Sequence, residues 1–175
     1  MLVHLATSFS EPGKFSLYNI VLFVHIAAAI VAFGITFTYP LIYASLSRPA
    51  NRRHLAWFHE VEEQLGKKII TGGATVILLA GLYLASEGPY DFGSTFVSIG
   101  LVVIIVLLGL GGAFFAPTER KATALAARDI AAAGDGEVEL SDEYQAVAKR
   151  LVVVGGFSSL LVLIAVFLMV VKPGA

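Results

Sequence analysis

The 175-residue chain contains no cysteine. Disulfides, thiolate metal sites and cysteine nucleophiles are thereby excluded. Charge is also scarce. Asp, Glu, Lys and Arg make up 14% of the residues, against about a quarter in a soluble domain. The net charge of −1 leaves no electrostatic footprint for nucleic acid. No nucleophile elbow, phosphate loop or pair of carboxylates within an apolar run is present. The apolar runs do not alternate with polar residues, which excludes a membrane β-barrel pattern. The first apolar run is too long for a signal-peptide core and has no cationic segment just before it, so it reads as a retained span.

What the chain does have is apolar length. Hydrophobic residues are 57% of the total and mean hydropathy is +0.82. Four stretches carry no Asp, Glu, Lys or Arg: Phe15–Ser47, Ile69–Ser86, Phe92–Thr118 and Leu151–Val171. A helix of about 18 or more apolar residues can cross the ~30 Å hydrocarbon layer. Backbone groups in lipid must be satisfied within the segment, so helices follow. The expected fold is all-α: one integral membrane four-helix bundle in the lipid bilayer, with spans at about 17–46, 67–87, 93–116 and 150–171.

Lysine and arginine set the expected orientation. Arg48, Arg52, Arg53, Lys67 and Lys68 fill one gap, and Arg120, Lys121, Arg128, Lys149 and Arg150 fill another. The tails hold only Lys14 and Lys172, and the gap 87–91 holds none. Basic loops stay on the cytoplasmic side, so both termini and the Gly88-Pro89 turn are expected outside a multi-pass protein of the cytoplasmic membrane. Spans two and three then form an antiparallel hairpin. Segment 50–68 is amphipathic, with Trp57 suited to headgroup level, and lies at the inner interface or extends span two. Ala122–Ala133 reads as helix, Gly134-Asp-Gly136 as its break, and Ser141 with Asp142 and Glu143 as the N-cap and acidic first turn of span four.

Helical spacing gives the spans faces. Tyr18, Leu22, Ala29, Ala32, Thr36, Tyr39 and Tyr43 fall within about 60° of His25 at 100° per residue. Ile20, Phe23, Ile30, Phe37 and Leu41 fall opposite. The small and polar stripe should face the bundle or a partner. Span three carries Gly109 and Gly112, and span four Gly155 and Ser159, at similar depth. Small residues allow close backbone approach, so spans three and four are expected to touch most closely there. Ala29 and Ala32 are the matching packing residues of span one.

His25 is the one histidine within a span, about 12 Å below the outer surface at 1.5 Å per residue. It is a candidate axial ligand of haem b, with Lys172 or Met169 as the available sixth ligands. Alternatively it is a neutral histidine bonded to a neighbouring helix, or part of a proton or ion pathway. Tyr18, Asn19, Tyr83, Glu87, Tyr90 and Asp91 cluster by height near the outer surface. On the inner side, His54, His59, Glu60, Glu62 and Glu63 are metal-capable types. His59 with Glu62 or Glu63 has ligand-compatible spacing, but two ligands do not make a site. These residues read as a solvated charged face, and the run Asp135–Glu143 as a solvated loop. No catalytic or metal site is expected.

Three segments carry a family resemblance: Phe23-Val-His-Ile-Ala-Ala-Ala-Ile-Val-Ala-Phe-Gly34, Leu140-Ser-Asp-Glu-Tyr144 and Phe167-Leu-Met-Val-Val-Lys-Pro-Gly174. They resemble an uncharacterised family of predicted bacterial four-helix integral membrane proteins, a domain of unknown function. The resemblance implies the four-helix fold and no activity. The first helix is also faintly similar to the small membrane-type protoporphyrinogen oxidases and to copper-resistance membrane proteins. The oxidases pair a first-helix histidine with a lysine of a later helix, and here no lysine lies inside a later span. The resulting expectation is a non-enzymatic membrane protein, an accessory or assembly subunit of a larger complex or a homo-oligomer. The alternatives are a haem-binding redox protein using His25 and a small transporter or channel component.

Overall fold

The computed structural model describes residues 16–173. Lys14, Phe15 and Gly174, named above, lie outside the described residues. Within them the chain is helical without strands, and four helices are long and apolar enough to cross a membrane. These are α1 (Leu17–Leu46), α2 (Pro49–Glu87), α3 (Thr95–Ala133) and α4 (Asp142–Val171).

Local chemistry explains where each helix starts, bends and stops. Ser16 Oγ caps α1 by accepting from the Asn19 N–H at 3.2 Å. A tight turn at Ile35–Phe37 precedes Pro40, whose ring removes a donor and bends the helix. The amphipathic segment is not a separate element: it is the first part of α2, continuous with the span. Both α2 and α3 contain a π-helical turn, at Gly66–Ile70 and Gly111–Phe115. Pro117 follows the second, and its missing N–H deprives the Ala113 carbonyl of its usual partner. Gly134 ends α3 at φ +53°, a region that favours glycine. Ser141 Oγ accepts from the Tyr144 N–H at 3.2 Å, with Asp142 and Glu143 in the first turn of α4.

The polar and small stripe of α1 faces the bundle. Ala32 is wholly buried, and a Cβ built on Gly73 would lie 2.5 Å from its Cβ. Ala29 packs on the same cluster, with Ile77 of α2, Ile104 of α3 and Val162 of α4. Phe23, Ile30 and Leu41 on the opposite side are exposed, as lipid-facing residues are.

The contact expected between α3 and α4 lies elsewhere. Cβ atoms at Gly109, Gly112 and Gly155 would meet nothing within 4 Å. Gly112, Gly155 and Ser159 instead line a cavity. The π turn at Gly111–Phe115 inserts extra chain into α3 and shifts the register of its faces, so the glycine stripe does not continue onto α4. The glycine-mediated contact between these helices is at the other end. There a Cβ on Gly100 would come within 2.5 Å of Met169 Cε, next to Phe96 and Val97.

Beyond the apolar spans, the basic ends of α2, α3 and α4 form a core of their own. Leu55, Ala122, Leu125, Ala126, Tyr144, Val147, Ala148 and Leu151 are its buried members. Two arginines tie the 134–141 loop to it. Arg52 Nη1 donates to the Val138 carbonyl at 2.9 Å, and Arg53 Nη2 to the carbonyls of Gly134 and Gly136 at 2.8 and 2.6 Å.

Candidate functional site

Leu55, Phe58, His59 and Glu62 recur at three- and four-residue steps, so they share one face of α2. That face turns into the basic-end core rather than to water. His59 is 2% exposed and the Glu62 side chain 11%. From α3 comes Glu119, also buried, one turn past the Gly111–Phe115 π turn. From α4 comes Tyr144, fully buried in its first turn.

These side chains meet. His59 Nδ1 lies 2.7 Å from Glu119 Oε2 and 3.5 Å from Glu62 Oε2. Its Nε2 lies 2.9 Å from Tyr144 Oη. The rings of Phe58, Tyr43 and Tyr144 surround the imidazole, with centroids 5.6, 6.2 and 5.8 Å away. The expectation of a solvated face is therefore corrected for His59 and Glu62, because their face of α2 packs against α3 and α4. It holds for His54 and Glu60, which are exposed. Glu63 accepts from Lys67 at 2.7 Å and from Arg120 at 2.6 Å.

His59 and Glu62 lie beyond Lys67, and Tyr144 beyond Lys149, from the apolar spans, while Glu119 directly follows the apolar run that ends at Thr118. Burial alone would favour neutral imidazole, but the hydrogen bonds that His59 donates to Glu119 and Glu62, with their negative charge, outweigh it and hold the His59 pKa up at about 9. Burial raises the Glu62 carboxyl, opposed by its bond to His59 and reinforced by the Glu119 charge. The buried Glu119 and the largely buried Glu62 thus converge on one imidazole nitrogen.

One ligand atom from each of His59, Glu62 and Glu119 lies within 4.8 Å of the others. A central ion about 2.1 Å from each would set them about 3.0–3.4 Å apart, a change of a few tenths of an ångström for the two measured pairs. With Nδ1 on an ion, Nε2–H would donate to Tyr144 Oη. Such a second bond orients a ligating histidine.

The cluster forms one end of an open cavity of about 470 Å³ lined by all four helices. Its wall is mostly apolar and includes both π turns. Two buried hydroxyls in the wall, Tyr39 Oη and Ser158 Oγ, have no hydrogen-bond partner.

His25 lies outside this cavity's wall. Its Nδ1–H donates to the Ile77 carbonyl at 3.0 Å. Gly81, one turn on, makes room, since a Cβ there would lie 3.2 Å from the imidazole Cε1. The histidine thus joins α1 to α2. Met169 packs on Gly100. Lys172 Nζ sits 4.7 Å over the Tyr90 ring.

Sequence reasoning missed Glu119 and Tyr144. His59 and Glu62 carried a signal in their shared phase with Leu55 and Phe58. Glu119 carried only its position at the edge of an apolar run, and Tyr144 only its place after the Ser141 cap. No curated protein and no solved structure matches the chain, and a similarity to the oxidases or the copper-resistance proteins is not shown. Residues 19–173 match the family described as "Predicted integral membrane protein (DUF2269)", and the chain belongs to that family.

Proposed function

We propose that this integral membrane protein binds a divalent metal ion at His59, Glu62 and Glu119, at the junction of α2, α3 and α4. The observation that carries the reading is a buried histidine facing a buried carboxylate, Glu119, and a largely buried one, Glu62, from two helices, 2.7 and 3.5 Å away. One imidazole and two carboxylates suit a first-row ion such as Zn²⁺ or Mn²⁺. The chain has no cysteine thiolate to select a softer ion. Three protein ligands leave further coordination positions open, and the adjoining cavity can supply a water or a ligand to them. His59 would release its Nδ1 proton on binding, and the two positive charges of the ion would match the two carboxylates.

The test is titration of metal-stripped, detergent-purified protein with Zn²⁺ and Mn²⁺ by calorimetry. One ion per chain is expected. Glu119→Gln and Glu62→Gln should each weaken binding at least tenfold, and Glu60→Gln, at an exposed position of the same helix, should leave it unchanged. A folded protein that binds neither ion would sink the proposal. The imidazolium would then be a bridge holding α2 to α3.

A further inference from the structure

The cavity beside the cluster has the shape and chemistry of a site for part of an amphiphile. On α4 its wall runs from Ala148 to Val162, about 21 Å at 1.5 Å per residue. It therefore reaches from the basic end well into the apolar spans. Along this length the wall is apolar, and Gly112, Gly155 and Gly156 keep it wide. Added Cβ atoms at these positions would meet nothing within 4 Å. A large apolar cavity with a few convergent polar groups is the usual form of a small-molecule site. The convergent polar groups here are the charged side chains at its basic end, Glu62, Glu63, Lys67, Glu119 and Arg120.

The charged end specifies the head. Lys67 and Arg120 line the same cavity, both paired with the single carboxylate Glu63. Glu62 and Glu119 line it too, so with a divalent ion in place and His59 neutral, Lys67, Arg120 and the ion carry four positive charges against three carboxylates and leave one in excess facing the cavity. Carboxylate-bound divalent ions commonly complete their coordination with phosphate oxygens. A cationic or neutral head would leave this excess unmatched.

We infer that the cavity takes a single-chain lipid with a phosphate head, its chain between the four helices and its phosphate between the bound ion and Lys67 and Arg120. This inference rests on the metal reading.

The test uses full-length protein in a neutral detergent, with metal stoichiometry measured first and separately. Hexadecyl phosphate, hexadecanol and inorganic phosphate are then compared by native mass spectrometry and competition binding, with and without Mn²⁺. One hexadecyl phosphate per chain is expected, at least tenfold tighter with Mn²⁺ than without and at least tenfold tighter than either control. Gly155→Leu and Gly112→Leu, which fill the cavity from positions with free space, should lower lipid affinity tenfold or more and leave the metal stoichiometry unchanged. Metal binding without lipid binding would overturn the lipid inference and leave the metal site standing. So would equal binding of hexadecanol, binding indifferent to Mn²⁺, or binding unaffected by both leucine variants. Loss of metal binding by the unmodified protein would instead overturn the metal reading, and the lipid inference with it.

Discussion

At the scale of single residues, His59 depends on neighbours from three helices. Its Nε2 faces only Tyr144 Oη, at 2.9 Å. Removing that hydroxyl leaves the fold's apolar contacts in place but frees the imidazole to rotate. Tyr144→Phe should weaken metal binding about 10–100-fold, as loss of such second partners does, and lower stability by about 1–3 kcal/mol because His59 Nε2 is left buried without a partner; calorimetry and a melting curve together check this. Asp129 is a second buried acid with a different task. It accepts from the Ser141 N–H and Oγ–H at 2.9 and 2.8 Å, clasping the end of α3 to the cap of α4. Burial pushes its pKa up, but the Ser141 donors and Arg128 outweigh this and leave it lowered. A lowered carboxyl contributes stability above its unfolded pKa of about 4 and loses it as pH falls through the folded value. Asp129→Ala should cost about 1–3 kcal/mol at neutral pH. In melting experiments the difference from the unmodified protein should shrink below about pH 4.

At the scale of elements, the apolar runs made all four helices legible, because length without charge leaves few alternatives in lipid. The polar stripe of α1 was legible too: its phase around His25 correctly separated Ala32 from Phe23, Ile30 and Leu41. The α3–α4 contact was not. Gly109 and Gly112 have the right spacing for close packing, but the π turn beginning at Gly111 shifts the register between them and the rest of α3. Periodicity assumes an unbroken 3.6-residue repeat and cannot register such an insertion. The correction is testable by adding methyl groups. Gly73→Ala puts a Cβ 2.5 Å from Ala32 Cβ and should destabilise the protein by about 1–3 kcal/mol through overpacking. Gly155→Ala, with no neighbour within 4 Å, should cost less than Gly73→Ala. Unfolding in mixed detergent micelles ranks the two.

At the scale of the whole molecule, the site was half legible. His59 and Glu62 stand one turn apart in the sequence, but Glu119 joins them only through the packing of α2 on α3, sixty positions away. No local pattern encodes that meeting. The expectation of an accessory subunit drew on small-residue stripes, short outer parts and a lack of catalytic groups; Gly112, Gly155 and Ser159 line the cavity instead, which removes the first of these grounds for α3 and α4. Orientation follows from charge. Arg52 and Arg53 bind the 134–141 loop, yet the excess of Lys and Arg at this end still predicts a cytoplasmic position. A cysteine at position 90 should then react with an impermeant thiol reagent from outside intact cells, and one at position 137 only after permeabilisation. The reverse pattern would invert the topology.

The central claim is a metal ion held by α2 and α3, with Tyr144 of α4 bonded to its histidine ligand. X-ray absorption at the metal edge of zinc-loaded protein tests it most directly. The account predicts one imidazole nitrogen and carboxylate oxygens at about 2.0–2.1 Å, with the imidazole scattering lost in His59→Gln and intact in His25→Ala and His54→Ala. A first shell of oxygen alone, or one whose imidazole disappears with His25 or His54 instead, would contradict it.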